Sequence, residues 1–298
     1  MLTILHGSDL HFGKPFNAEI AGVFRRAIEE RAPDLLVLSG DFTQRAKVKE
    51  YQEARAFLRS LPDLPLVVTP GNHDVPLYRV WERLLAPHRN YRRFISPELD
   101  TVTNLPGATV VALDSSAPRR AIVNGYLSDR QLLFASDAFA GAIEGDVRIA
   151  VLHHHLAPAP DYESDQVLRG WQRCLDAFQK MGVELVLGGH LHRAYVAHSA
   201  DLRPPGEGGR RMVIAHSGTT TSTRGRARER NKNSFNQIGI AGDHMVITHH
   251  EFLPREGEFV PVRSHVFPRG TRGFLRSEVA GLGAVESNSS VPVEREAE

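Results

Sequence analysis

Five short motifs in the first two thirds of this 298-residue chain carry oxygen and imidazole side chains. Donors of these types suit Mn, Fe and Zn ions. In chain order the motifs are Asp9-Leu10-His11, Gly40-Asp41, Gly71-Asn72-His73-Asp74, His153-His154-His155 and Gly189-His190-Leu191-His192. Each fragment alone is weak evidence, so their spacing must decide whether they form one site.

The spacing of the motifs brings them together. Asp9 and Asp41 are 32 positions apart, and Asp41 and Asn72 are 31 apart, about the length of one βαβ unit. Each motif follows an apolar, strand-like run. The C-terminal ends of parallel strands meet at one edge of a sheet, where ligands bind in open α/β folds. We therefore expect all five segments to converge on one rim.

The elements that must position these motifs can be predicted from hydrophobic periodicity. The first part of the chain alternates strands and helices, which predicts parallel sheets covered by helices. The predicted strands are 2–6, 35–38, 66–68, 109–113, 147–152 and 185–187, and the predicted helices are 18–31, 48–61, 128–140 and 165–181. From residue 194 the pattern changes to strands without helices, at 195–198, 212–215, 235–240 and 245–252, which predicts an antiparallel half.

Such a rim suits phosphodiester hydrolysis, in which a poor nucleophile must attack an anion. Two cations about 3.5–4 Å apart can hold a bridging hydroxide at neutral pH and neutralise the phosphoryl charge. A carboxylate must bridge the two ions, and Asp41 is the candidate. Gly40 before it permits a tight turn at the strand end.

The motifs, in this order, resemble those of the calcineurin-like metallophosphoesterase family over about residues 1–250. The resemblance implies a β-sandwich flanked by helices (α/β/β/α) and a dinuclear phosphoester hydrolase. It also implies two sets of metal ligands that share Asp41. One set is Asp9, His11, Asp41 and His192, and the other is Asp41, Asn72, His190 and one histidine of residues 153–155.

The histidine triplet leaves one ligand open. Relatives often have His-His-Pro, with the first histidine on the metal, whereas Leu156 follows the triplet in this chain. Alignment as His-His-His-Pro favours His154, with His153 as the alternative. The resemblance also implies that His73 lies over the phosphate and assists the leaving oxygen, with Asp74 orienting its ring.

Within the family, the Ser8–Gly13 and Ser234–Asn236 segments are similar to bacterial cyclic-nucleotide phosphodiesterases. A phosphodiesterase acting on a small diester such as a cyclic nucleotide is therefore the leading hypothesis. A phosphomonoesterase, a DNA nuclease and a non-catalytic scaffold are the alternatives. The formal charge of +1 gives no overall field for nucleic acid, which weighs against the nuclease.

Composition limits the remaining classes. No apolar run approaches the ~20 residues of a membrane span, and Met1 leads directly into a strand, so we expect a cytoplasmic protein with no membrane partner. The one cysteine, Cys174, excludes an intramolecular disulfide. Exposed strands in the antiparallel half permit a homodimer. Residues 1–267 are expected to form the domain, and 268–298 a disordered, slightly acidic tail.

Two further segments have both a functional and a structural interpretation. The basic segment 224–232 attracts phosphate or is simply a solvated loop, with Arg224 the residue favoured to reach the site. Residues 77–107 form either a cap whose aromatic residues stack a base or an ordinary amphipathic helix pair.

Overall fold

The structure is a computed structural model of the full chain. It describes residues 1–120, 123–158, 167–202, 210–224 and 232–276, and the backbone of 278–280. The described helices are α1 (Ala18–Arg31), α2 (Val48–Ser60), α3 (Val80–Leu85), α4 (Arg89–Phe94), α5 (Asp129–Ala140), α6 (Trp171–Lys180) and α7 (Ser199–Leu202), with a 3₁₀ turn at Asn72–Asp74.

The described strands form two sheets. The first contains β1 (Leu2–Gly7), β2 (Leu35–Leu38), β3 (Leu66–Val68), β10 (Ser234–Ile240), β11 (His244–Leu253), β12 (Glu258–Gly270), β13 (Gly273–Phe274) and β14 (Glu278–Ala280). The second contains β4 (Thr101–Leu105), β5 (Ala108–Ala112), β6 (Val147–Val151), β7 (Leu185–Gly188), β8 (Tyr195–His198) and β9 (Val213–His216).

Both sheets are mixed. In the first sheet the order is β13-β12-β11-β10-β1-β2-β3, with β14 paired to β12, and only β1, β2 and β3 are mutually parallel. In the second sheet the order is β4-β5-β6-β7-β9-β8, and the four central strands are parallel. The predicted antiparallel pairing after residue 194 is found between β8 and β9 and among β10, β11 and β12. These strands do not form a separate half: β9 pairs in parallel with β7 in the second sheet, and β10 to β12 extend the first sheet beside β1.

Strand alternation explains the layers. In β2, Leu35 and Val37 lie in the core between the two sheets, while Leu36 and Leu38 pack under α1 and α2 on the outer face. In β6, residues 147, 149 and 151 lie in the same inner core, and Ala150 lies in the outer core formed with α5 and α6. The predicted β-sandwich flanked by helices is confirmed.

Local sequence signals mark the starts of three helices. The Asn17 side chain accepts hydrogen bonds from the Glu19 and Ile20 amides and so caps α1. Ser128 and Gln131 form the predicted capping box of α5. Helix α6 begins at Trp171 rather than 165, after Gly170 with φ +76°. Part of the predicted extension lies outside the described residues.

The C-terminal boundary differs from the prediction. Strand β12 continues to Gly270, β13 and β14 pair with it, and Phe274 is fully buried in the inner core. The chain from 268 to 276 is therefore part of the sandwich because Phe274 supplies apolar area that the sheet buries. The remainder of the predicted tail, 281–298, lies outside the described residues.

No helix among the described segments is long and apolar enough to cross a bilayer.

Truncation of the inner core gives a stability prediction. Leu35 is 0% exposed between the sheets, so Leu35→Ala should lower the free energy of unfolding by about 3–5 kcal/mol, through lost burial and a residual cavity. The matched control Leu133→Ala, on α5 and 62% exposed, should change it by less than about 0.5 kcal/mol. Urea denaturation of both variants measures this. Equal losses would contradict the assignment of Leu35 to the core.

Candidate active site

The motif residues lie where parallel strands end. Asp9, Asp41 and Asn72 follow β1, β2 and β3 of the first sheet, while the histidine triplet and His190 follow β6 and β7 of the second. Hydrogen bonds join the two sets across the sandwich: the His190 amide donates to Asp9 Oδ2 at 3.0 Å. The five segments therefore do converge on one rim.

Four side chains form a fully enclosed cluster. His11 Nε2 and His192 Nε2 are 3.0 Å apart, and Asp9 Oδ1 lies 3.5 Å from the first and 3.2 Å from the second. Asp41 Oδ2 lies 3.6 Å from His11 Nε2. One ligand atom from each of the four residues falls within 4.8 Å of the others. They are Asp9, His11, Asp41 and His192.

A second group adjoins the first through Asp41. His153 Nε2 lies 3.4 Å from Asp41 Oδ2 and 3.2 Å from Asn72 Oδ1. His190 Nδ1 lies 2.9 Å from the same Asn72 oxygen. Asp41 Oδ2 therefore faces both groups, as a carboxylate bridging two metal ions must.

The histidine at this position is His153, not the expected His154. The ring nitrogen Nδ1 of His154 lies 2.9 Å from Ser115 Oγ. The reason is strand alternation: residues 147, 149 and 151 of β6 face the opposite sheet, and His153 continues that series. His155 stacks on His190 with ring centroids 5.5 Å apart.

The carboxylates suit a cation. Asp9 Oδ2 and Asp41 Oδ1 each accept a backbone amide, from His190 and from His73. Their other oxygens, Asp9 Oδ1 and Asp41 Oδ2, are buried and accept no hydrogen bond from the described residues. A buried anionic oxygen without a donor is costly unless a cation binds it. The residues present therefore fit the pair of metal ions that the motifs imply.

Backbone carbonyls orient two of the imidazoles for metal binding. The Nδ1 atom of His192 lies 2.9 Å from the Arg224 carbonyl oxygen, and that of His153 lies 2.7 Å from the Ser39 carbonyl oxygen. A carbonyl can only accept, so each Nδ1 carries a proton and each Nε2 is turned towards the cluster.

The site also shifts the pKa values of its groups. Burial raises the pKa of Asp9 and Asp41, but the neighbouring histidines, His192 and His153 foremost, outweigh burial and hold both pKa values below their usual range. Burial lowers the pKa of His11 to about 4. Burial also lowers the pKa of His153, but Asp41 reverses this and raises it to about 9. A metal ion that binds His153 must therefore displace a proton from its ring.

Backbone strain is concentrated here. In the part of the chain that the structure describes, eight non-glycine residues have positive φ, and five of them belong to the two groups. For such residues the left-handed region is uncommon and marks functional sites when it clusters. The five are Asp9 (55°), His11 (52°), Asp41 (55°), His190 (75°) and His192 (55°).

His73 lies beside the first cluster, with its ring centroid 5.0 Å from that of His11. Its ring is held by the Gln44 carbonyl, 2.9 Å from Nδ1, and not by Asp74 as expected. Asp74 instead accepts the amides of Phe42, Thr43 and Gly71. Its carboxylate needs these donors because it is buried, and burial raises its pKa to about 7. Asp74 therefore fixes the loop that carries Asp41.

Several supporting residues carry no motif signal. Ser39 accepts from both Ser8 Oγ and His153 through its carbonyl, and its hydroxyl lies 2.9 Å from His6 Nε2. Asn236 contacts both His6 and His249, so a buried polar chain runs from β11 to the metal-site loop. Backbone carbonyls do not depend on residue type, so sequence motifs cannot reveal such roles.

The two undecided segments are partly resolved. In the 77–107 insertion, Tyr91 and Phe94 pack in the outer core, whereas Tyr78 and Trp81 are 71% and 78% exposed. Base stacking by this insertion stays a prediction. Of the basic segment, residues 225–231 lie outside the described residues, while Arg224 does reach His73: its Nη1 is 3.1 Å from His73 Nε2.

Comparison with known proteins agrees with this geometry. Residues 2–194 match the family model of the calcineurin-like phosphoesterases. A probable cyclic nucleotide phosphodiesterase of Rhodococcus erythropolis is 28% identical over 220 residues, which cover 67% of each chain. Another from Synechococcus is 28% identical over 172 residues, covering 57% of this chain and 62% of that one. The chain thus spans about two thirds of these relatives' lengths.

The fold has a solved counterpart. The structure of a dimetal phosphatase from Danio rerio superposes with a TM-score of 0.61 at 12% identity, covering 87% of this chain and 98% of that one. At this identity the likeness concerns the fold alone.

Proposed function

We propose that this chain, which belongs to the calcineurin-like phosphoesterase family, is a metal-dependent phosphodiesterase of small diesters such as cyclic nucleotides. Membership makes it a phosphoester hydrolase. The choice of a diester rests on the relatives named as cyclic nucleotide phosphodiesterases. The observation that carries the proposal is Asp41, whose buried Oδ2 accepts no hydrogen bond from the described residues and lies within 3.6 Å of a histidine nitrogen of each group.

We assign the ligands in two sets that share this carboxylate. Asp9, His11, Asp41 and His192 hold one ion, and Asp41, Asn72, His153 and His190 hold the other. When bound, such a pair of ions supplies a water-derived nucleophile at neutral pH and offsets the charge of the phosphoryl oxygens. Oxygen and imidazole ligands suit Mn, Fe or Zn.

The protein's own groups orient that chemistry. The carbonyls of Ser39 and Arg224 hold the Nδ1 atoms of His153 and His192 and so direct their Nε2 atoms inwards. His73 lies at the edge of the cluster, with Nδ1 bonded to the Gln44 carbonyl and Nε2 in contact with Arg224 Nη1. We assign His73 to the leaving oxygen and Asp74 to the support of the loop beneath it.

The test is hydrolysis of bis(p-nitrophenyl) phosphate beside p-nitrophenyl phosphate, with metal-free and Mn²⁺-loaded protein. We expect Mn²⁺-dependent cleavage with the diester preferred. Asp41→Asn should lower kcat/KM by more than about 100-fold, the most that outer-shell partners of a metal usually cost. The exposed Asp243→Asn is the matched control and should keep full activity.

Other results would replace the proposal. Preference for the monoester would make the chain a phosphomonoesterase. A metal-loaded protein that cleaves neither ester would favour a scaffold. Cytoplasmic location, a homodimer and the exclusion of polynucleotide substrates stay predictions.

A further inference from the structure

Arg224 lies at the edge of the metal centre and contacts it twice. It follows the buried polar run 217–222 that leaves β9. Its carbonyl accepts from His192 Nδ1 at 2.9 Å. Its side chain turns to the opposite wall, where Nη1 lies 3.1 Å from His73 Nε2 and 3.1 Å from Gln44 Oε1. The main-chain carbonyl of Arg224 thus orients the metal ligand His192. The Arg224 guanidinium contacts His73, the residue assigned to the leaving oxygen.

Among the described residues, the acceptors that Arg224 Nη1 contacts are both neutral groups. Gln44 offers a neutral amide oxygen. His73 offers the lone pair of Nε2, because its Nδ1 proton is committed to the Gln44 carbonyl. Each of these bonds has a single charged partner, whereas an arginine and an anionic phosphoryl group pair opposite charges and frequently form two parallel hydrogen bonds. A substrate phosphate next to His73 therefore competes well for the Nη1 donor.

We infer that Arg224 is a substrate-binding residue that transfers its Nη1 hydrogen bond from His73 to a non-bridging phosphoryl oxygen. This inference rests on the proposed function, because it takes the phosphoryl group to lie between His73 and the metal centre. The exchange has a second effect. It frees His73 Nε2 from the guanidinium, and that nitrogen can donate to the leaving oxygen after it takes up a proton from solvent. The exchange itself changes no covalent bond.

The role separates substrate binding from metal binding. Substitution of the Arg224 side chain leaves its carbonyl, and hence the orientation of His192, in place. Metal content should therefore be unchanged while affinity for phosphate falls. A residue that only supported Gln44 and His73 would affect turnover but not phosphate affinity.

The experiment measures binding of inorganic phosphate to the full, Mn²⁺-loaded chain by calorimetry. Variants are Arg224→Met and Arg224→Lys, and the matched control is Arg25→Met, an exposed arginine paired with Glu29 on α1. We expect Arg224→Met to weaken phosphate binding by about tenfold or more, and Arg224→Lys to restore part of it as a point charge without the planar fork. Metal stoichiometry and the melting temperature should match the wild type.

Kinetics provide a second readout. For the aryl diester, Arg224→Met should raise KM more than it lowers kcat. Unchanged phosphate affinity in Arg224→Met, or a wild type that binds no phosphate, would overturn the inference even if the diester is cleaved. The two proposals can also fail separately. If the wild type binds phosphate but cleaves neither ester, and Arg224→Met does not bind phosphate, the proposed function is contradicted and the inference stands.

Discussion

His153→Ala should release one of two bound metal ions and lower diesterase kcat/KM by more than about 100-fold, whereas His154→Ala should keep both ions. The difference follows from the direction in which each imidazole points. His153 Nε2 lies 3.4 Å from the shared Asp41 oxygen, while His154 Nδ1 lies beside Ser115 Oγ. The two residues are adjacent and identical in type, so each variant is the matched control of the other.

The measurement is metal content after dialysis against Mn²⁺, followed by the diesterase assay on the same samples. Circular dichroism checks that both variants fold. Loss of an ion from His154→Ala, with His153→Ala unaffected, would restore the assignment made from the motif. Loss from both would mean that the packing of the triplet, and not ligation, controls occupancy.

The histidine triplet shows where sequence reasoning ends. The strand of 147–152 and the rim position of the triplet follow from its apolar run. Which histidine points inwards depends on the phase of alternation, that is, on which alternate residues of the strand face the opposite sheet. The apolar run Val147–Leu152 is buried on both faces, so its sequence does not distinguish them. Only the contact of Ile149 and Val151 with the opposite sheet sets that phase. The signal existed, since His153 has the parity of those residues, but the sequence does not identify the inner face.

The sheet order was unpredictable for a related reason. Strands β1, β2 and β3 are joined by short βαβ connections, so their parallel pairing follows from the sequence. The pairing of Leu2 with Ile240 joins the two ends of the domain, and no local pattern encodes it. Phe274 lies beyond the last predicted strand, but its burial extends the domain past residue 267.

Asp74 shows the same limit at the site. The motif correctly places it beside His73, but its partners are the amides of Phe42, Thr43 and Gly71. A motif lists side chains, and every residue except proline carries an amide. The residues bonded through the main chain therefore had to be read from the structure.

Gly71→Ala should abolish metal-dependent activity although it adds a single methyl group outside both ligand sets. A Cβ at this position would lie 2.1 Å from Asp41 Oδ1 and 2.5 Å from the Asp41 amide nitrogen. Backbone cannot yield as a flexible side chain does, so the loop carrying the shared carboxylate must move. A misplacement of about 1 Å can cost about 100-fold in rate, and overpacking costs about 1–3 kcal/mol of stability.

The matched control is Gly22→Ala on α1, where an added Cβ meets nothing within 4 Å. Alanine there should raise the free energy of unfolding by about 0.5–1 kcal/mol, because it removes the entropic cost of a helical glycine. Metal content, diesterase activity and urea denaturation are measured for both variants. If Gly71→Ala keeps two ions and near-normal kcat/KM, the loop tolerates displacement of Asp41, and this carboxylate does not bridge the ions. If it loses them while remaining folded, the close approach of Gly71 to Asp41 is a requirement of the metal centre and explains why the loop has glycine there.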